Sequence, residues 1–332
     1  MRKKKRFYWI DHARGFIMIF LVITLYLPPE IREAARFFLE HPENSTTVTY
    51  MNLFDIGAAA FIFIMGILMP YSFSRRRDTR GTKKTVLHLI LRYSILLALG
   101  LVIILIDHGS FFEMIGGVPI IYWDVLPTLG LVGLIAIPFL FINYRYRAII
   151  AGFMLIFYQL MVMYGGWREY AIESIHGGIL GSIFSFSSLM IFATCFGEYL
   201  LMNDSLADKK KYITYFLIGL IIFIVGLLIS FIPGWYPNKR QVTLTYILIS
   251  MGASIALTLI CIGLDKLVKK PIFILDSFGK NPLLIYIVAV VIEYIIVDLI
   301  GIELNLLLGI LFMAIVTIIA LLLDRTKKII KL

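Results

Sequence analysis

The stretch from Ile56 to Phe73 carries no charged residue, opens directly behind Asp55, and closes on Arg75, Arg76 and Arg77. About 20 apolar residues in a helix cross the hydrocarbon core of a bilayer, and in lipid only a helix or a closed barrel satisfies its own peptide groups. The triple arginine sets the direction. Lys and Arg collect on the cytoplasmic side, so Asp55 is expected at the opposite face, where a carboxylate calls for a partner or a function.

The pattern recurs along the chain. Apolar stretches near 14–28, 52–73, 86–107, 124–142, 148–164, 179–201, 213–232, 242–264, 281–299 and 303–323 predict about ten membrane helices. With 16% charged residues against roughly a quarter in soluble domains, the composition fits the same class. The expected fold is an all-α, polytopic integral membrane bundle forming a single domain over residues 1–332. Basic connections (Arg75 to Lys84, Arg145 to Arg147, Lys209 to Lys211, Lys266 to Lys270, Arg325 to Lys331) alternate with connections poor in Lys and Arg. Both termini are therefore expected in the cytoplasm. The basic Met1 to Arg6 leads into a stretch that reaches Pro28-Pro29 without a small-residue cleavage site, and reads as an uncleaved first helix.

The net charge of +10 is spread over these short topological clusters, which argues against a nucleic-acid partner. Cys195 and Cys261 fall inside apolar stretches with no metal-ligand spacing, so neither a disulfide nor a metal is expected. Gly-x-x-x-x-Gly-Lys-Ser/Thr, His-Glu-x-x-His and Gly-x-Ser-x-Gly are all missing from the sequence, which removes the nucleotide-triphosphate, zinc-protease and serine-hydrolase classes.

Polar chemistry gathers in the connections expected outside: His41 in 29–51; Asp107, His108, Glu113, Trp123 and Asp124 in 107–124; Trp167, Arg168, Glu169, Glu173 and His176 in 165–178. Several of these residues also have a plain structural reading. Asp11 and Arg14 sit one helical turn apart, as an interfacial ion pair would. Asp55 suits a helix N-terminus, Arg92 can snorkel to the cytoplasm, and Trp123 fits an interfacial belt. Asn281 before Pro282 marks a helix start, whereas Glu293 lies deep enough in its stretch to call for a partner or a role. His12, among cytosolic basic residues, is expected on the surface.

The string Trp9-Ile10-Asp11-His12-Ala13-Arg14-Gly15 is similar to the Ser-x-Asp-x-x-Arg-Gly motif of the heparan-α-glucosaminide N-acetyltransferase-like and related bacterial transmembrane acyltransferases, with Asp11, Arg14 and Gly15 matching. Asp55 to Gly66 resembles the family's Asp-Leu-x-x-Pro-x-Phe-x-Phe-Ile-x-Gly, with Ala59 at the proline. Gly178-Ile179-Leu180-Gly181-Ser182-Ile183 resembles its Gly-Ile-Leu-Gly-Thr-Ile. Phe231-Ile232-Pro233 and Gly279-Lys280-Asn281 with Tyr286 follow in the family's order. Ser45 stands where the family has its catalytic histidine, with His41 four residues upstream; Leu25 and Pro127-Thr128 replace two further family residues.

The resemblance implies a donor, cytosolic acetyl-CoA, and an acceptor, a sugar or glycan on the far side of the membrane. With the basic rim it puts Asp11, Arg14, Arg75, Arg92 and Asn281 at the CoA, and Asp107, His108, Trp123, Asp124 and Glu293 at the acceptor. His41 and His176 are the candidate bases, with Asp55 next. The implied partners are the lipid bilayer of a bacterial cell membrane, acetyl-CoA and the glycan, and the sequence leaves self-association into a homo-oligomer open. A transporter or lipid-handling protein with an outward cavity is the competing reading. Pro70, which lies near a helix end, and the lack of a convincing repeat weigh toward the enzyme.

Overall fold

The computed structural model describes residues 7–28, 31, 51–52, 55–115, 118–174, 176–203, 207–268 and 270–326. Its helices are α1 (Tyr8–Tyr26), α2 (Ile56–Arg80), α3 (Thr82–His108), α4 (Val125–Phe139), α5 (Tyr144–Tyr164), α6 (Arg168–Glu173), α7 (Gly178–Met202), α8 (Asp208–Ser230), α9 (Leu244–Val268), α10 (Phe273–Lys280), α11 (Pro282–Glu293) and α12 (Leu306–Arg325). Among the described residues, eight helices are long and apolar enough to cross a membrane. The protein is a multi-pass helical membrane protein.

Each apolar stretch expected to cross contains a helix, and two of them depart from a plain span. The 15 residues of α4 rise roughly 22 Å at 1.5 Å each, short of a hydrocarbon core of about 30 Å. The 281–299 stretch belongs to a bent pair, α10 and the helix from Pro282, which meet at 86°. Pro282 has no N–H to continue the hydrogen-bond ladder of α10 and its ring clashes with that helix's carbonyls, so the chain breaks at Asn281 and restarts with proline at the first helical position. A small antiparallel hairpin, β1 (Phe112–Ile115) and β2 (Val118–Ile121), was not anticipated by the all-α reading. Its signal was present in the sequence: Gly116-Gly117 between two short, largely apolar runs is a two-residue hairpin composition.

The chain divides into two compact units, the first built from residues 1–43, 52–57 and 256–331, the second mainly from 58–255, with the boundaries inside α2 and α9. In the first unit α1 packs on α10, α11 and α12. The α1–α10 contact is backbone against backbone: a Cβ on Gly15 would lie 1.9 Å from the Leu275 carbonyl oxygen, and one on Gly279 would lie 1.8 Å from that of Asp11. His12, expected on the surface, is fully buried. Because α1 begins at Tyr8, His12 falls on the packed face, where its Nε2 accepts from the Ile272 N–H at 3.1 Å. Lys280 Nζ lies 2.5 Å from both Asp276 Oδ2 and Asp324 Oδ1, joining the end of α10 to the end of α12.

In the second unit α3 packs on α4, and α7 packs on α4 and α5. Arg147, expected in an open basic connection, is buried in the first turn of α5, donates to Thr194 Oγ1 at 3.0 Å and pairs with Glu198, both on α7. Helix α8 is apolar nearly all round. Lys211, Tyr215, Gly219 and Gly226 form a narrow buried stripe, and Phe216, Leu217, Ile221 and Leu228 are exposed, as on a helix facing lipid.

Candidate functional site

One end of the second unit gathers the 107–124 connection, the start of α7 and the segment before α9. Asp124, in extended conformation, caps α4 by accepting from the Val125 N–H at 2.6 Å. That cap holds the preceding Trp123 inward. The buried indole Nε1 donates to Thr128 Oγ1 at 2.9 Å and to Ser182 Oγ at 2.8 Å, and Thr128 Oγ1 in turn donates to the Asp124 carbonyl at 2.8 Å. Ser182 sits in a π-helical turn, Gly181–Phe186, of the kind that often marks functional positions in helices. Hydroxyls bind the wide turn: Ser187 Oγ donates to the Ser182 carbonyl at 2.7 Å and Ser185 Oγ to the Val242 carbonyl at 2.6 Å.

Charge surrounds this knot. Lys239, Asp107 and His108 all act electrostatically on Asp124. Burial holds the Asp124 carboxyl above the ordinary carboxylate range, opposed by the Val125 hydrogen bond and by Lys239. His108 Nε2 lies 3.4 Å from Asp107 Oδ2, and its ring stacks on Tyr122 with centroids 3.9 Å apart and planes 2° from parallel. The Tyr122 hydroxyl donates to Glu113 on β1.

The turn into α7 is strained. His176 (φ 51°), Gly177 (φ 71°) and Gly178 (φ 60°) take positive φ in succession, and the facing Val242 has φ 52°. Positive φ is costly for a histidine and more so for a β-branched valine, and such residues persist only where their surroundings hold them. Here the Gly177 N–H donates to the Arg240 carbonyl at 2.6 Å, and the buried Tyr158 hydroxyl donates to the Gln241 carbonyl at 2.8 Å. Gln159 Oε1 accepts from the Leu244 N–H at 2.8 Å, fixing the start of α9. A Cβ on Gly177 would lie 2.7 Å from the Tyr158 hydroxyl, so only glycine fits there.

The structure brings Asp107, His108, Trp123 and Asp124 together, and sets the His176 carbonyl against Gly181, one residue before Ser182. Glu293 belongs to the first unit, at the end of α11, within electrostatic reach of Tyr26, whose hydroxyl donates to the Ala289 carbonyl at 2.8 Å. Asp55 and Asn52 form a reciprocal cap, Asn52 N–H to Asp55 Oδ2 at 2.9 Å and Asp55 N–H to Asn52 Oδ1 at 3.2 Å. Asp11, Arg14 and Asn281 lie in the first unit, Arg75 and Arg92 in the second; His41 falls outside the described residues. Sequence reasoning gave no site role to Tyr122, Ser182 or Lys239, and named Thr128 only as a replacement of a family residue. Ser182 had a signal in the Gly178 to Ile183 string, and Lys239 had one as a cation on a connection poor in Lys and Arg.

No family model matches the chain, and no curated protein is similar to it. Its function is therefore argued from the chemistry of the site.

Proposed function

We propose that the protein is a membrane-embedded acyltransferase that passes an acetyl group from cytosolic acetyl-CoA to a sugar or glycan on the extracytoplasmic side. The cluster of Trp123, Asp124, Thr128 and Ser182 beside the His108–Tyr122 stack carries the reading. Aromatic faces, hydroxyls and a carboxylate are the groups that hold a polyhydroxylated ring. In the reaction the acceptor oxygen or nitrogen attacks the thioester carbonyl, a C–O or C–N bond forms, the C–S bond breaks, and CoA leaves as the thiol. The acceptor's proton needs a base. Asp124, whose carboxyl burial makes more basic, and His176, beside the π turn, are the described candidates at this end of the second unit.

The proposed topology counts α4 and the α10–α11 pair as crossings, giving about ten spans with both termini in the cytoplasm of a bacterial cell. It is supported by the Lys/Arg asymmetry and by the meeting of the 107–124, 165–178 and 233–243 connections at one end of the second unit. The family resemblance gains support from packing: Gly15 of the first-helix string lies against α10, and Gly279 of the Gly279-Lys280-Asn281 string lies against Asp11.

The test is acetyl transfer by the purified protein from labelled acetyl-CoA, with and without an amino sugar or glycan acceptor. Acceptor-dependent label transfer is expected; no transfer to any acceptor of a sugar panel would overturn the reading. The 86° break between α10 and α11 favours a second reading, a transporter, since broken helices line the binding sites of many transporters. Uptake of a sugar into proteoliposomes lacking acetyl-CoA would select it.

A further inference from the structure

We propose that Arg76, Arg80, His88 and Arg92 form a binding site for a phosphate group. This inference does not depend on acyl transfer. It starts from the way α2 turns into α3: Gly81, with φ 80°, is the whole link between Arg80 and Thr82, so the basic segment lies on two helix ends and not on an open loop. Arg76 and Arg80 are four residues apart on α2, and His88 and Arg92 four apart on α3, so each pair shares a helix face. The faces meet. Arg76, Arg92 and Arg80 all act on His88, and Arg92, Arg80 and Arg75 act on Arg76.

Like charges at this spacing repel, and a fold that brings three arginines together around a histidine ordinarily supplies a carboxylate. None is among the charges acting on Arg76 or His88, and the nearby Asp78 is engaged by Arg77 at 3.7 Å. Two donors in the cluster are sealed from solvent: Arg76 Nη1 and Arg92 Nε have no hydrogen-bond partner among the described residues. Donors of this kind match phosphate, whose several oxygens accept from guanidinium forks and whose charge offsets the repulsion. The Arg92 guanidinium lies over the Tyr93 ring at 5.6 Å, which steadies one fork. The phosphate has two chemical sources: a soluble phosphate ester, of which the 3′-phosphate and pyrophosphate of a coenzyme A are one case, or the headgroup of an anionic phospholipid.

The test uses the full-length protein in nanodiscs. Binding and thermal unfolding are measured for 3′,5′-ADP in neutral phosphatidylcholine discs and, separately, for discs with and without phosphatidylglycerol. Saturable binding with a raised melting temperature is expected in one arm, and the arm that responds names the source. Arg76→Gln and Arg92→Gln should each weaken it by about tenfold or more, whereas Lys83→Gln, an equal charge change on the face of exposed Leu87, should leave it within about twofold. Should a glutamine variant fail to fold, Arg92→Lys keeps the charge and removes the fork, and is expected to weaken binding as well. The proposal is overturned if neither ligand binds saturably, if the arginine variants bind as the parent does, or if Lys83→Gln loses as much as they do.

Discussion

The indole Nε1 of Trp123 and the hydroxyl oxygen of Ser182 stand 2.8 Å apart, donor to acceptor, across 59 residues of chain. The bond pins the N-terminus of α4 to the π turn of α7 and, through Thr128, to the Asp124 carbonyl. Replacing Trp123 by Phe keeps most of the apolar volume and removes the donor. The expected loss is roughly 0.5–1.5 kcal/mol of stability, with a larger loss of the proposed acetyl transfer. Ser182→Ala should show little further effect in the Trp123→Phe background; additive losses in that double-mutant cycle would mean the two side chains act separately.

The α1–α10 contact gives a second prediction. Gly15→Ala places a methyl 1.9 Å from the Leu275 carbonyl oxygen, a clash that only separation of the two helices relieves. Overpacking of this kind costs about 1–3 kcal/mol, and Gly279→Ala should match it from the other side. Thermal unfolding in detergent checks both; a melting temperature unchanged in either variant would show that the helices do not touch at these residues.

Buried Arg147 and partly exposed Glu198 form a pair in which loss of one leaves the other's charge unpaired. Glu198→Gln or Arg147→Met alone should destabilise the protein, toward the low end of about 3–5 kcal/mol because Glu198 is partly exposed. The double change Arg147→Met with Glu198→Met should recover most of that. A double variant as unstable as the worse single one would show the pair's charges to be required in themselves.

Asp124 supplies the pH prediction. Its carboxyl is held above the ordinary carboxylate value of about 3.9, first by burial. A folded-state pKa raised above the unfolded one means that its contribution to stability is full below the unfolded value and is lost as pH rises through the folded value. As the proposed base it must be ionised, so the proposed acetyl transfer should rise with pH through that same folded value. Asp124→Asn should remove this limb of the rate profile and flatten the corresponding fall in stability. A pH–rate profile that keeps its acid limb in Asp124→Asn would assign the base elsewhere, with His176→Ala the next variant.

The positions and order of the long apolar helices were legible in the sequence because the demands of a bilayer are local: about 20 apolar residues and no unsatisfied peptide groups. Pro282 likewise marked where a helix begins. Which face of each helix meets protein was not legible. Lipid is as apolar as a packed interior, so a helix such as α8 is hydrophobic nearly all round and its periodicity does not separate the buried stripe from the lipid face. For that reason the burial of His12 and of Arg147, and the pairing of Trp123 with Ser182, emerged only from tertiary packing. The sequence named most of the polar residues at the site one at a time; close approach through Gly177 and the strained turn at His176 decided which of them meet.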